Sequence, residues 1–171
     1  MDNTVDIDKI NEEDNCVPEY IIESARKICM ALLPEKSKIL PKKAKIFEDA
    51  ELAKFLTEAD NFQYLAARII VIFGIFGATR TIELTKLEVD QVEEHGNVFV
   101  VELEATKTDV DWSFVIEGCY REMVRKYRQL HVPATPHQRF FVNYQKGACT
   151  VQPIGKHKFA GTPKLVLIFQ S

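Results

Sequence analysis

Apolar residues recur along this chain at two different spacings. Over residues 48–59, Leu52, Phe55 and Leu56 lie three and one apart with acids between them, the pattern of a helix with one buried face. After a break at Asp60-Asn61, residues 62–76 are apolar nearly all round, from Tyr64 and Leu65 through Ile69 to Phe73 and on to Phe76. That predicts the central buried helix of the domain. Gly77 is expected to end it in the left-handed conformation, which glycine adopts at little cost. A short helix is expected over residues 80–87.

The period then changes to two. Val98 and Val100 on one side of a polar turn at residues 106–109, with Trp112, Phe114 and Ile116 on the other, predict a β-hairpin. A third strand is expected at residues 89–92, with His95-Gly96 as its turn. Helical spacing returns over residues 118–130, where Tyr120, Met123, Val124 and Tyr127 share a face. Residues 139–144 and 148–152 predict a second, smaller hairpin. A last helix is expected within residues 156–169, interrupted at Gly161 and Pro163, with Leu165 to Phe169 left without chain to pack on. The fold class expected is α+β, mostly helical, with a small antiparallel three-stranded sheet.

Length and composition fit this reading. The 171 residues suffice for one domain, or one domain with a tail, and 46% hydrophobic and 27% charged residues are ordinary for a globular protein. Residues 1–46 form a separate lead. Residues 1–15 hold six acids and one lysine, a polar stretch expected to be disordered and unlike a secretory leader. Residues 18–33 carry an amphipathic pattern (Tyr20, Ile21, Ile28, Leu32, Leu33) stopped by Pro34, and residues 34–45 hold five lysines. Residues 47–171 are expected to be the compact part. The longest apolar run, residues 69–76, is far short of the about twenty residues a membrane helix needs, so no membrane partner is expected. Cys16, Cys29, Cys119 and Cys149 are scattered, which predicts neither a zinc site nor a disulfide framework, no metal, and a reduced compartment, nuclear or cytoplasmic. His95, His131, His137 and His157 stand singly and are expected at the surface.

Charge is partitioned beneath a net value of -3. Residues 47–120 carry fifteen acids and five bases, whereas residues 121–171 carry nine bases against Glu122 alone. A basic end of this kind either meets a polyanion such as nucleic acid or is a solvated face, and charge leaves both open.

The run Gly77-Ala78-Thr79-Arg80-Thr81-Ile82-Glu83-Leu84-Thr85-Lys86-Leu87 resembles the first signature box of the tyrosine recombinases, the phage-integrase-like enzymes that break and rejoin DNA. The box reads Gly-x-x-Arg-x-x-Glu-Leu-x-x-Leu, and every fixed position is present. Thr106-Lys107-Thr108 lies on the expected hairpin turn, where that family often carries a lysine. Residues 139–155 resemble its eukaryotic, transposon-derived (Crypton-like) branch. The resemblance covers about residues 48–171 and implies a partial recombinase catalytic core, with residues 1–46 the remnant of a DNA-clamp domain.

By that resemblance Arg80 and Lys107 are the catalytic candidates and Glu83 supports the site. A guanidinium fork matches two non-bridging phosphate oxygens, and an ammonium can protonate the departing 5′ oxygen. Arg121, Arg125, Arg128, Arg139 and Lys146 are the candidate DNA-binding cations. The partners implied are double-stranded DNA and further recombinase copies, a homo-oligomer or full-length chains, with no cofactor. The family's His-x-x-Arg box is not found, since His157-Lys158-Phe159-Ala160 has alanine where arginine belongs, and no tyrosine stands where the nucleophile should. The expectation is therefore a DNA-binding, integrase-like chain, truncated and inactive in recombination. The alternative is a protein-interaction module docking through its apolar last helix. There is no Gly-rich phosphate loop, Gly-x-Ser-x-Gly elbow or His-Glu-x-x-His to suggest a metabolic enzyme.

Overall fold

The computed structural model describes residues 49–104 and 111–169; the expected lead, linker and Lys107 turn lie outside the described residues. Helix α1 (Asp49–Glu58) and helix α2 (Asn61–Gly77) meet at an elbow. The Asp60 carboxylate accepts the Phe62 N–H at 3.0 Å, capping α2. From inside α2 the buried Arg68 guanidinium reaches back, donating to the Ala59 carbonyl (2.9 Å), the Asn61 side-chain oxygen (2.6 Å) and the Leu56 carbonyl. A helix end leaves its last carbonyls unpaired and partly negative, so a cation there satisfies both the hydrogen bonds and the dipole. Burial still lowers the guanidinium's affinity for its proton.

Helix α3 (Thr81–Lys86) and a 3-10 turn (Val89–Gln91) lead into an antiparallel sheet of β1 (Val92–His95), β2 (Val98–Leu103) and β3 (Trp112–Ile116), in that order. The third strand thus starts only at Val92, the last of the residues 89–92 expected to form it, since Val89 to Gln91 close a helical turn bonded through the Glu88 N–H to the Gln91 side chain. The inward side of β2 is the one alternating with Val98 and Val100. Phe99, Val101 and Leu103 are buried, while Val98 and Val100 are half-buried. The register sets Phe99 against Ile116, Val101 against Phe114 and Leu103 against Trp112, so the directly paired residues of the two strands turn inward together.

Helix α4 (Cys119–Gln129), the hairpin β4 (Val142–Gln145) and β5 (Ala148–Pro153), and helix α5 (Lys156–Phe169) complete the chain. The fold is α+β, mainly helical, with the expected small three-stranded sheet and the second hairpin. Pro163 removes the N–H that would bond the Phe159 carbonyl. The helix nevertheless runs through Gly161 and Pro163, because Phe159, Thr162 and Val166 are buried on both sides of the defect.

Phe73 of α2 is the centre of the core. Its ring meets Phe114 of β3 at 5.7 Å, and Phe140 and Phe141 ahead of β4 at 5.4 and 5.3 Å. Tyr127 of α4 locks β4 to this cluster: its hydroxyl donates to the Val142 carbonyl (2.7 Å) and accepts the Val142 N–H (2.9 Å). Burial, first of all, raises its pKa well above the ordinary value. His131, expected at the surface, is half-buried, with its ring 5.1 Å from Tyr127 and 5.6 Å from Phe140. Its buried Nε2 has no hydrogen-bond partner.

Gly77 is the last residue of α2, and the residue in the left-handed region is Ala78 (φ 44°), not the glycine. The requirement for glycine is spatial: a Cβ there would lie 2.5 Å from Phe114 Cε1. Gly77→Ala is therefore expected to overpack the contact and lower stability by about 1–3 kcal/mol, with part of the loss recovered when Phe114 is also shortened to Leu, read by urea unfolding of the four-member cycle.

Burial, aided by Arg128 and His137, pushes the His131 imidazole down to about 4. Because the unfolded side chain titrates near 6.5, the unfolded state takes up the proton first as pH falls. Stability is full above pH 6.5, declines between about 6.5 and 4, and is level below; His131→Gln should flatten that slope. After discounting for the ring's partial solvent contact, the loss is on the order of 1–2 kcal/mol, measurable as Tm against pH.

Candidate functional site

The box identified in the sequence forms the turn from α2 into α3, and each fixed position can now be placed. Gly77 lets Phe114 lie against the backbone. The next residues turn back on the helix: Ala78 is left-handed, and the buried Thr79 hydroxyl donates to the Phe73 carbonyl at 3.2 Å. Arg80 is the N-cap of α3. Its backbone N–H is accepted by Glu83 Oε2 at 2.7 Å, the reciprocal half of a capping box. Leu84 and Leu87 are buried in the core. Glu83 itself is a carboxylate, only 5% exposed, that holds the first turn of α3.

The Arg80 side chain differs from these. It is 51% exposed, and its Nη1 lies 3.6 Å from Glu83 Oε1, too long for a good hydrogen bond. The guanidinium is oriented by the pair without being enclosed by it. Its expected companion, Lys107, lies outside the described residues.

The candidate DNA-binding cations are distributed differently from what the charge of their segment suggests. Arg125 binds Glu94 of β1 through two nitrogens and Glu122 at 2.6 Å. Arg121 binds Glu122 (2.7 Å) and the Asn97 side chain in the β1–β2 turn (2.8 Å). Arg128 donates to the Val92 carbonyl at 2.8 Å. These three arginines clamp α4 to the edge strand β1. Hydrogen bonds from Arg125 hold the Glu94 carboxyl below its usual range. Burial pushes Glu122 up, but Arg121 and Arg125 outweigh it and bring its pKa down. Arg139 donates to the Lys86 carbonyl at the end of α3 and sits 3.5 Å from Glu88. Beside it the Phe140 N–H donates to the Leu87 carbonyl and the Val89 N–H to the Gln138 carbonyl, both at 2.8 Å. Only Lys146, on the β4–β5 turn, is an exposed cation of this group without an ion-pair partner among the described residues.

A cleft of about 470 Å³ opens where β2 and β3 diverge, lined by Asp90, Glu102, Glu104, Asp111, Leu103 and Trp112. Its acids would repel a phosphate. Among the described residues no group of three His, Cys, Asp or Glu side chains is placed to hold a metal, and no helix is long and apolar enough to cross a membrane. The expectation of an unpacked end to α5 holds in part: Phe169 stands edge-on to Phe55 (5.5 Å) and Tyr64 (5.8 Å) and Val166 is buried, whereas Leu165 and Ile168 are exposed. Sequence reasoning missed Arg68 and Thr79. The signal for Arg68 was a lone cation in the most apolar helix, which must find polar partners or not be buried.

No family model, no curated protein and no solved structure matches the chain.

If Glu83 is structural and Arg80 is not, the two substitutions separate. Glu83→Ala should cost about 1–2 kcal/mol through the lost cap, whereas Arg80→Ala should stay within about 0.5 kcal/mol. Thermal unfolding of the two variants distinguishes them.

Proposed function

We propose that the chain binds double-stranded DNA in the manner of the amino-terminal part of a tyrosine-recombinase catalytic core, with Arg80 as a phosphate-contacting residue. One observation carries the reading. At four of the five fixed positions of the box the residue has a task inside the fold, and only Arg80 directs its side chain to solvent. Stability does not account for an arginine at such a place, since an exposed pair this long contributes little. A guanidinium fork held at one end by a carboxylate, and open at the other, suits the two non-bridging oxygens of a phosphodiester.

The reading assigns the other cations differently from their raw charge. Arg121, Arg125, Arg128 and Arg139 serve the fold, leaving Lys146 and Lys107 as further candidates for phosphate. No His-x-x-Arg box occurs within these 171 residues, so binding rather than strand transfer is proposed for them. The interaction-module alternative rests on α5, where Phe169 packs on α1 and α2 while Leu165 and Ile168 stay exposed; two exposed side chains are too small a surface to favour it over the DNA reading.

Anisotropy titration of labelled duplex DNA tests this at about 50 and about 200 mM salt, the range over which phosphate contacts weaken steeply. Arg80→Glu should weaken low-salt binding about tenfold and reduce the salt slope by about one. Arg80→Lys should keep part of the affinity, and Arg125→Gln should lower Tm with little change in binding. Absence of low-salt binding, or affinity indifferent to Arg80→Glu, overturns the proposal.

A further inference from the structure

Helix α5 leaves one strip of its surface bare. Ile168 is 66% and Leu165 36% exposed, and three residues apart on a helix they share a face. Leu165 stands one turn before Phe169, whose ring packs on Phe55 of α1, so the strip borders the seam between α5 and α1. Helix α1 is also where the described body begins, at Asp49. The chain that precedes it is therefore tethered to the body through α1, the helix whose Phe55 carries the Phe169 ring.

We propose that residues 18–33 of the same chain, which lie outside the described residues, cover this strip as an intramolecular docking segment. The sequence supplies a complementary apolar stripe there: Ile21, Ala25, Ile28 and Leu32 recur at spacings of four, three and four, the register of a helix seam. Residues 34–48 connect the two; fifteen extended residues reach about 50 Å, ample for a neighbouring helix. Size decides between this occupant and a separate molecule. Two exposed side chains fall far short of the roughly 800 Å² per partner that a specific interface needs. A tethered segment, at an effective concentration on the order of millimolar, gains from a contact that small.

Native Cys29, next in sequence to Ile28, provides the test. In the full chain with Cys16→Ser, Cys119→Ser, Cys149→Ala and Ile168→Cys, a short bis-maleimide should link Cys29 to position 168 within one molecule, identified by peptide mapping. His95→Cys in place of Ile168→Cys, at the exposed end of β1, should give no link, and Ile28→Asp with Leu32→Asp should abolish the first one. Absence of the intrachain link overturns the proposal, and a link between copies overturns it in favour of self-association. Should the cysteine-replaced chain fail to fold, hydrogen exchange of the otherwise unaltered sequence decides: Ile28→Asp with Leu32→Asp should speed exchange at residues 163–169 about tenfold, and unchanged protection overturns the docking.

Discussion

Phe114 lies against the bare Cα of Gly77, and much else in the fold depends on that approach. The ring also meets Phe73 one turn earlier in α2, so β3 is wedged along the last turn of the central helix. With the strand so close, the chain leaving α2 must turn sharply. Ala78 accepts a left-handed conformation that costs a residue with a Cβ about 1 kcal/mol or more, and the Thr79 hydroxyl returns to the Phe73 carbonyl. That turn sets the start of α3 and therefore the direction of Arg80. The Arg80 side chain is aimed by packing between two aromatic rings and a glycine that never touch it.

The periodic elements were legible in the sequence because their burial is one-sided or complete. Helix α2 announces itself by having no polar face, and α4 by Tyr120, Val124 and Tyr127 recurring every three or four residues. Strand β2 was harder. Val98, Phe99, Val100, Val101 and Leu103 supply apolar residues at both parities, so alternation alone cannot choose the inward set. The choice is made by the partner strand, which offers Ile116 and Phe114 opposite Phe99 and Val101. Pro163 misled for the converse reason: local rules end a helix there, and tertiary burial on both sides overrides them.

The candidate site was readable one residue at a time and no further. The box positions named Arg80 and Glu83, but their opposite fates, one half-open and one buried, follow from a three-dimensional elbow that spacing does not encode. Gly77 shows the same limit. Its identity was evident and its reason was not, because the atom that excludes a side chain belongs to Phe114, thirty-seven positions away in the sequence. Arg68 was visible only as an anomaly, and its partners, the carbonyls at the end of the preceding helix, are groups that every residue carries and no pattern marks.

Charge is the clearest case of one-dimensional bookkeeping failing in three dimensions. The acid-rich middle and the base-rich end of this chain read as two fields of opposite sign. In the fold they face each other, and Arg121, Arg125 and Arg128 spend their hydrogen bonds on Glu122, Glu94, Asn97 and the Val92 carbonyl. A guanidinium already engaged this way must break a charge-assisted bond before it can meet a phosphate, and the carboxylate left behind repels the same phosphate. The net +8 of the last segment therefore overstates the field that DNA would meet. What is left for a polyanion is the smaller set of cations whose nearest carboxylate is distant or already occupied. Arg80 belongs to that set because Glu83 is held by the backbone it caps and cannot close fully on the guanidinium above it.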